Sequence, residues 1–442
     1  MNKFYHMLGL LSLQGFIAMA QQQHDNLKTI KYSLPQVWDS VSLYSKSINL
    51  EKLNLLQNAE RLESTRAEKL PDISLDGEYA KFSKLPQYEN GLFHQATYYP
   101  LARTSYSLGT TANMFLYNGS RLKRNMEAAA INQDLIKNKV NLTTGEIKLL
   151  ASSYYLNIIR DQKFLQIIAR DINEQEKVIA QIRVFYKNGV VLKSDVLRAE
   201  LKVSKQKLQY TQIHNDIALH SQKLGILMGL PEETMIDPSD SINLTEPALD
   251  SYENYVSIAM NNAFELNISR QEQSLRKLNL KLVKANILPE ISVFANYLYS
   301  YPQGRLYPYA LSLYSLGTVG LKASYPLSAL YKNKHRVAEA ALELRKSALE
   351  HSAREDEIKE HVKQDFLQLQ EDIERIRVSK KNIIQATENL RILKSSYLNQ
   401  TALMTDYLDA DVQLLESRFD LTVAEIEGQF HFYQLQKTIG KL

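Results

Sequence analysis

Proline breaks a helix interior because it lacks the backbone donor and its ring collides with the preceding turn. The 11 prolines of this 442-residue sequence stand at 35, 71, 86 and 100, at 231, 238 and 247, and at 289, 302, 308 and 326. Two stretches, 101–230 and 327–442, contain none. Within them apolar positions recur every three or four residues among Glu, Lys, Gln and Ser: Ile131, Leu135, Leu142 and Leu149 in the first, Ile373, Ile376, Ile383 and Leu390 in the second. That spacing gathers the apolar side chains on one helical face. It predicts helices over 125–185 and 332–396, roughly 60 residues and about 90 Å each.

Each proline-free stretch holds one interruption, and the two interruptions match. YKNGVVLKSDVLRAELKV (186–203) aligns without gaps with YLNQTALMTDYLDADVQL (397–414), pairing Tyr186 with Tyr397, Asn188 with Asn399, Leu192 with Leu403, Asp195 with Asp406, Leu197 with Leu408 and Ala199 with Ala410. Asn-Gly followed by Ser-Asp predicts a turn and the cap of a new helix. Each stretch therefore reads as a helical hairpin. LPDIS at 70–74 returns as LPEIS at 288–292, and YSLGT occurs at both 106–110 and 314–318. The chain reads as a duplicated unit of helix, two strands, long helix, turn and long helix. The first repeat would cover 21–250, with a strand pair at 70–118, a hairpin at 120–228 and a linking stretch at 229–250. The second would cover 251–442, with a strand pair at 288–326 and a hairpin at 332–430.

The N-terminus points to export. Lys3 precedes the short apolar run MLGLLSLQGFIAM, and Ala18-Met19-Ala20 forms a small-residue cleavage site, so residues 1–20 read as a signal peptide. No Cys follows the site to carry a lipid, and no later segment offers 18 uninterrupted apolar residues. The absence of Cys also removes disulfides, thiolate metal sites and thiol nucleophiles. A formal charge of +4 lacks the basic excess that tracks a phosphate backbone, so nucleic acid is not an expected partner.

The strand segments alternate. Ile73, Leu75 and Tyr79 interleave with Asp72, Ser74, Asp76 and Glu78; Tyr106, Leu108, Met114 and Leu116 interleave with Ser and Asn; Ile291, Val293, Ala295, Tyr297 and Tyr299 repeat the pattern. Half of the 26 Tyr residues fall in the windows 70–118 and 288–325. Tyrosine suits any strand, but in an exported chain this pattern favours an outer-membrane barrel, apolar outward with aromatic residues at the lipid interfaces. Four strands cannot close a barrel, and an open edge in lipid leaves backbone groups unpaired. Two copies would give eight strands and a filled interior, whereas three would give twelve and a lumen. A homotrimer is therefore expected, its hairpins continuing the wall as a coiled cylinder.

Over essentially the whole mature chain this sequence resembles the TolC family of outer membrane efflux proteins. The two turn motifs, around 186–200 and 397–411, carry the likeness, together with the order of strand pairs and hairpins. The resemblance implies a TolC-like α+β membrane protein: a trimeric channel with a 12-stranded β-barrel in the outer membrane and an α-helical barrel in the periplasm. It further implies a collar that draws on 231–247 and the C-terminal end. The expected role is an exit duct of a tripartite efflux or type I secretion system, with a periplasmic adaptor, an inner-membrane transporter and outer-membrane lipid as partners. No cofactor or metal is implied.

The family's constriction falls on Asp406 and Asp409, three residues apart on one helical face. Two readings stand beside each other: rings of carboxylates about the threefold axis, or Asp406 as a helix cap and Asp409 as a solvated charge. The family's tip-gating network maps onto Tyr397, Ser194 and Asp195. Its arginine is replaced by Ala402, which leaves Lys193 or Arg198 as substitutes. Catalytic signatures are missing: no HExxH, GxSxG, P-loop or GxGxxG is present, and His351 and His361 read as surface residues. A periplasmic coiled-coil adaptor is the alternative, although one hairpin set in β-rich domains would not alternate with Tyr-rich strand pairs.

Overall fold

The computed structural model describes residues 29–89, 91–99, 102–240, 249–302 and 310–442. The expected signal peptide, residues 241–247 of the proline- and acid-rich stretch 231–247 expected in the collar, and most of the loop at 301–310 lie outside them. Strand β1 (Thr29–Tyr32) leads into α1 (Leu34–Tyr44) and α2 (Lys46–Ala67), then β2 (Asp72–Lys81), a short ribbon of β3 (Leu85–Gln87) and β4 (Thr97–Tyr99), and β5 (Thr104–Asn118). The helices α3 (Arg121–Lys187) and α4 (Lys193–Met228) follow, then β6 (Met235–Pro238), α5 (Tyr252–Asn262), α6 (Phe264–Ala285), β7 (Glu290–Tyr301) and β8 (Tyr314–Ser324). The chain closes with α7 (Ala329–Leu398) and α8 (Met404–Thr438). The two longest helices match the proline-free expectation to within four residues at each end. The short strands β1, β3, β4 and β6 have no counterpart in the sequence reading.

The chain forms two compact units, Asn54–Lys137 with Ile268–Ser352, and the remainder. The first holds a four-stranded antiparallel sheet of order β2-β5-β7-β8. Register explains its chemistry. Because Leu75 pairs with Thr110, Thr110 with Tyr297 and Leu108 with Tyr299, one face collects Ile73, Leu75, Tyr79, Leu108, Val293, Tyr297, Tyr299, Val319 and Leu321. Many of these are exposed, Val319 at 78% and Leu321 at 72%. The other face is richer in Ser, Thr, Asn and acid, including Ser74, Asp76, Glu78 and Asn296.

Glycines sit opposite the bulkiest side chains. Gly317 faces Tyr297 and Gly320 faces Phe294, whose ring fills the place a Cβ would occupy. The sheet is tied to its helices at one end, where Arg121 pairs with Glu290 at 2.8 Å and Arg124 donates to the Lys281 carbonyl at 2.8 Å.

The second unit is built on helix faces. Val37 and Val41 of α1 pack with Ala151, Tyr155 and Ile158 of α3 and with Leu224 and Met228 of α4. A separate cluster joins Ala259, Ala263 and Leu266 to Ile358, Val362 and Leu369 of α7 and to Leu435 and Ile439. Burying each Val, Leu, Ile or Met of these clusters stabilises by about 1.5–3 kcal/mol. Strand β1 runs parallel to β6, which places part of the acid-rich stretch against the N-terminal segment. Asp240 finishes that junction by accepting from the Leu34 amide at 2.7 Å, while the buried Tyr155 hydroxyl lies 2.9 Å from the Tyr32 carbonyl.

Candidate functional site

The matched motifs form the two turns between long helices. After α3, Gly189 takes a left-handed φ of +75°, and the Val190 amide reaches back to the Phe185 carbonyl at 2.9 Å. After α7, Gln400 takes a φ of +63°, with the Thr401 amide 2.9 Å from the Ser396 carbonyl. These bonds satisfy the last helical carbonyls, and the first turn places glycine where a Cβ would be strained. The N-caps that follow are Leu192 and Leu403, which offer no side-chain acceptor. Ser194 is thus inside its helix and not its cap. The acids Asp195 and Asp406 stand in the first turns of α4 and α8, where carboxylates favour the positive end of the helix dipole.

Asp406 Oδ2 accepts from the Leu403 amide at 3.3 Å, so this carboxylate does close the start of α8. Both Asp406 and Asp409 are exposed. Tyr397 is buried at 6% exposure and stacks on Tyr407, ring centroids 5.9 Å apart. Its hydroxyl is enclosed without a hydrogen-bond partner. Burial, and then the nearby Asp195 carboxylate, raise the tyrosine above its ordinary pKa. Tyr397 and Asp195 are therefore neighbours but share no hydrogen bond. Ser194, Lys193 and Arg198 are exposed.

The sequence reading missed a polar cluster buried behind these residues. Lys202 of α4 pairs with Asp411 of α8, their side chains 11% and 5% exposed. Gln206 of α4 donates to Asp171 of α3, and both are buried. Tyr407 of α8 donates to Gln175 of α3 at 3.4 Å. Burial and the like charge of Asp411 push Asp171 above the usual carboxylate range, against the pull of Lys202 and Gln206. The signal was present: Val196, Ala199, Val203 and Gln206 share one buried helix face, and only the last is polar.

Two acid–histidine pairs brace the hairpins further along. His220 Nδ1 lies 2.8 Å from Asp161 Oδ2, and His431 Nδ1 lies 2.5 Å from Asp372 Oδ2, each pair spanning 59 residues. The hydrogen bond to Asp372 raises the His431 pKa against the opposing effect of burial. The charged imidazole is thus favoured in the folded chain. Its stabilisation is complete below the unfolded value near 6.5 and is lost as pH rises through the higher folded value. Thermal unfolding should show stability falling as pH rises across that window, and His431→Gln should remove the dependence. His351, expected at the surface, is half-buried with its Nδ1 3.0 Å from Ser269 Oγ.

No helix among the described residues is long and apolar enough to cross a membrane, and no metal-binding cluster occurs among them. No protein-family model matches the sequence, and no match is found among curated proteins. Solved structures do match. The outer-membrane channel OprN has a TM-score of 0.77 at 14% identity, over 92% of this chain and 90% of its own. The outer membrane protein VceC of Vibrio cholerae has a TM-score of 0.75 at 15% identity, over 92% of this chain and 96% of its own. The open state of the Neisseria gonorrhoeae MtrE outer membrane channel has a TM-score of 0.73 at 14% identity, over 92% of this chain and 88% of its own. The chain therefore has the fold of these outer-membrane channels.

Proposed function

We propose that three copies of this chain form an outer-membrane exit duct, the outermost part of a tripartite efflux or type I secretion system. The observation that carries the reading is the four-stranded sheet with one exposed apolar face and two open edges, β2 and β8. In lipid those edges must be paired, and β8 of one copy meets β2 of the next to close twelve strands around a lumen. The apolar face turns to lipid and the polar face to water. OprN and MtrE, both channels by description, support the same use of the fold. The helical hairpins extend the duct into the periplasm, where an adaptor protein joins them to an inner-membrane transporter. Asp406 and Asp409 line the narrow end as two rings of three carboxylates, and Tyr397, Ser194 and Asp195 belong to the contacts that close it. The protein is a passive conduit and not an enzyme.

Fractionation tests this reading. The protein should require detergent for extraction from the outer membrane and should have the mass of three chains by light scattering. A soluble periplasmic monomer would overturn it and favour an adaptor.

A further inference from the structure

We infer that Lys81, Lys84 and Arg103, at the rim of the sheet farthest from the helices, form a binding site for the phosphate groups of an outer-leaflet glycolipid. The site rests on the exit-duct reading above, which puts the helical hairpins in the periplasm and this rim at the outer surface. Register fixes its height. On the apolar face Tyr79 of β2 stands opposite Tyr106 of β5, and Tyr106 opposite Tyr301 of β7, the last two stacked with ring centroids 4.9 Å apart. A row of three tyrosines thus closes the apolar face, as aromatic girdles do at a lipid interface. From Ile291 to Tyr301, β7 runs about 33 Å. At the tilt of an outer-membrane barrel that is about 25 Å of height, the whole apolar band. Lys81 is the next residue on the same face of β2, opposite Thr104 and about 7 Å beyond Tyr79. It therefore stands at the level of the headgroups. The Phe82 amide donates to the Arg103 carbonyl at 2.9 Å, which holds the Arg103 backbone beside Lys81. Lys84 follows at the base of the β3–β4 ribbon, its Nζ 5.8 Å from the centre of the Tyr98 ring.

Charge selects the ligand. All three cations are exposed, and none forms an ion pair among the described residues. The opposite end of the sheet differs, because there Arg121 pairs with Glu290 and Arg124 donates to the Lys281 carbonyl. From Lys81 to Arg103 the sequence holds one carboxylate, Glu89, against the three cations. Glu78 lies on the polar face, opposite Ser107. Unpaired cations just beyond an exposed apolar face match an anionic amphiphile: its acyl chains lie along Leu75, Tyr79 and Leu108, and its phosphates reach the rim. A guanidinium takes two phosphate oxygens in a fork and each lysine adds a point charge. The contact with Tyr98 places the Lys84 ammonium without using its N–H donors. A free phosphate ion would meet the same cations but leave the apolar face uncovered, so the lipid should bind more tightly.

The test is native mass spectrometry of the detergent-purified oligomer, titrated with bisphosphorylated lipid A, with dephosphorylated lipid A and with inorganic phosphate. Each basic residue near an anionic lipid surface contributes roughly fivefold in affinity. Lys81→Gln, Lys84→Gln and Arg103→Gln combined should therefore weaken lipid A binding by about a hundredfold. Dephosphorylated lipid A should bind the wild type as weakly as lipid A binds the triple variant, and inorganic phosphate at the same concentration should not bind. Lys322→Gln removes a cation from the polar face of β8, opposite Ser292, and should leave lipid A binding unchanged. Equal binding of the two lipids by the wild type, or undiminished lipid A binding by the triple variant, would overturn the site. Inorganic phosphate binding as tightly as lipid A would overturn the lipid assignment. If the triple variant fails to assemble, the comparison of the two lipids on the wild type decides. A wild-type protein that is a soluble monomer sinks the exit-duct reading itself, a result distinct from a detergent-extracted oligomer indifferent to phosphate.

Discussion

In planar bilayers the proposed duct is expected to prefer cations, and the double substitution Asp406→Asn, Asp409→Asn to abolish most of that preference while leaving the oligomer assembled. The two carboxylates stand three residues apart at the start of α8 and both are exposed. In the proposed trimer they make two rings of three. At about 6 Å and an effective dielectric of about 20, two such charges repel by about 3 kcal/mol, an energy that a monovalent cation in the ring offsets. Since each 1.4 kcal/mol is tenfold, the ratio of cation to anion permeability should fall at least about tenfold. High salt should mask the difference, because the screening length drops to about 3 Å at 1 M. Asn caps helices about as well as Asp, so the amide at 406 preserves the Leu403 contact and isolates the charge. Unchanged selectivity would assign Asp406 to capping alone and Asp409 to solvent.

The largest stability loss is expected at the other end of α8. Gly440 has a φ of +74°, and a Cβ there would lie 2.5 Å from the Asn262 carbonyl oxygen and 2.9 Å from its carbon. Those are backbone atoms between two helices and cannot swing aside. Gly440→Ala combines the left-handed penalty of about 1–2 kcal/mol with an overpacking penalty of about 1–3 kcal/mol, together about 3 kcal/mol. The damage should spread to Leu435 and Ile439, which are fully buried against α5, α6 and α7. Gly189→Ala is the matched control: its φ is +75°, but nothing lies within 4 Å of the added carbon. It should cost about 1 kcal/mol. Thermal unfolding of the two purified variants compares them directly, and equal losses would show that the Asn262 backbone yields.

Much of the fold was legible because local rules carried it. Proline spacing and a three-to-four residue period placed α3 and α7 to within a few residues, and alternation placed β2, β7 and β5 as far as Met114 with their faces; beyond it β5 shifts register between Phe115 and Tyr117, so Tyr117 and not the expected Leu116 stands opposite Ile291. Turn chemistry was read less well. Ser194-Asp195 was expected to cap the new helix, yet the helix begins at Lys193 after Leu192, which leaves Ser194 inside it and Asp195 in its first turn. The left-handed position after α7 carries Gln400 where glycine would have marked the turn.

The candidate site divides in the same way. Asp406, Asp409, Tyr397 and Asp195 could be named because they sit inside matched motifs. Lys202 and Asp411 lie in those motifs too, but their partnership spans 209 residues. The chain's periodicities thus determined, by themselves, its long hairpins and its two-faced strands, since each depends only on neighbours a few residues away. The tertiary structure decided that β5 pairs with β7, that β1 runs beside β6, and that three helices bury a lysine between carboxylates. Those outcomes depend on the relative register of distant elements, which no repeat within a single element encodes.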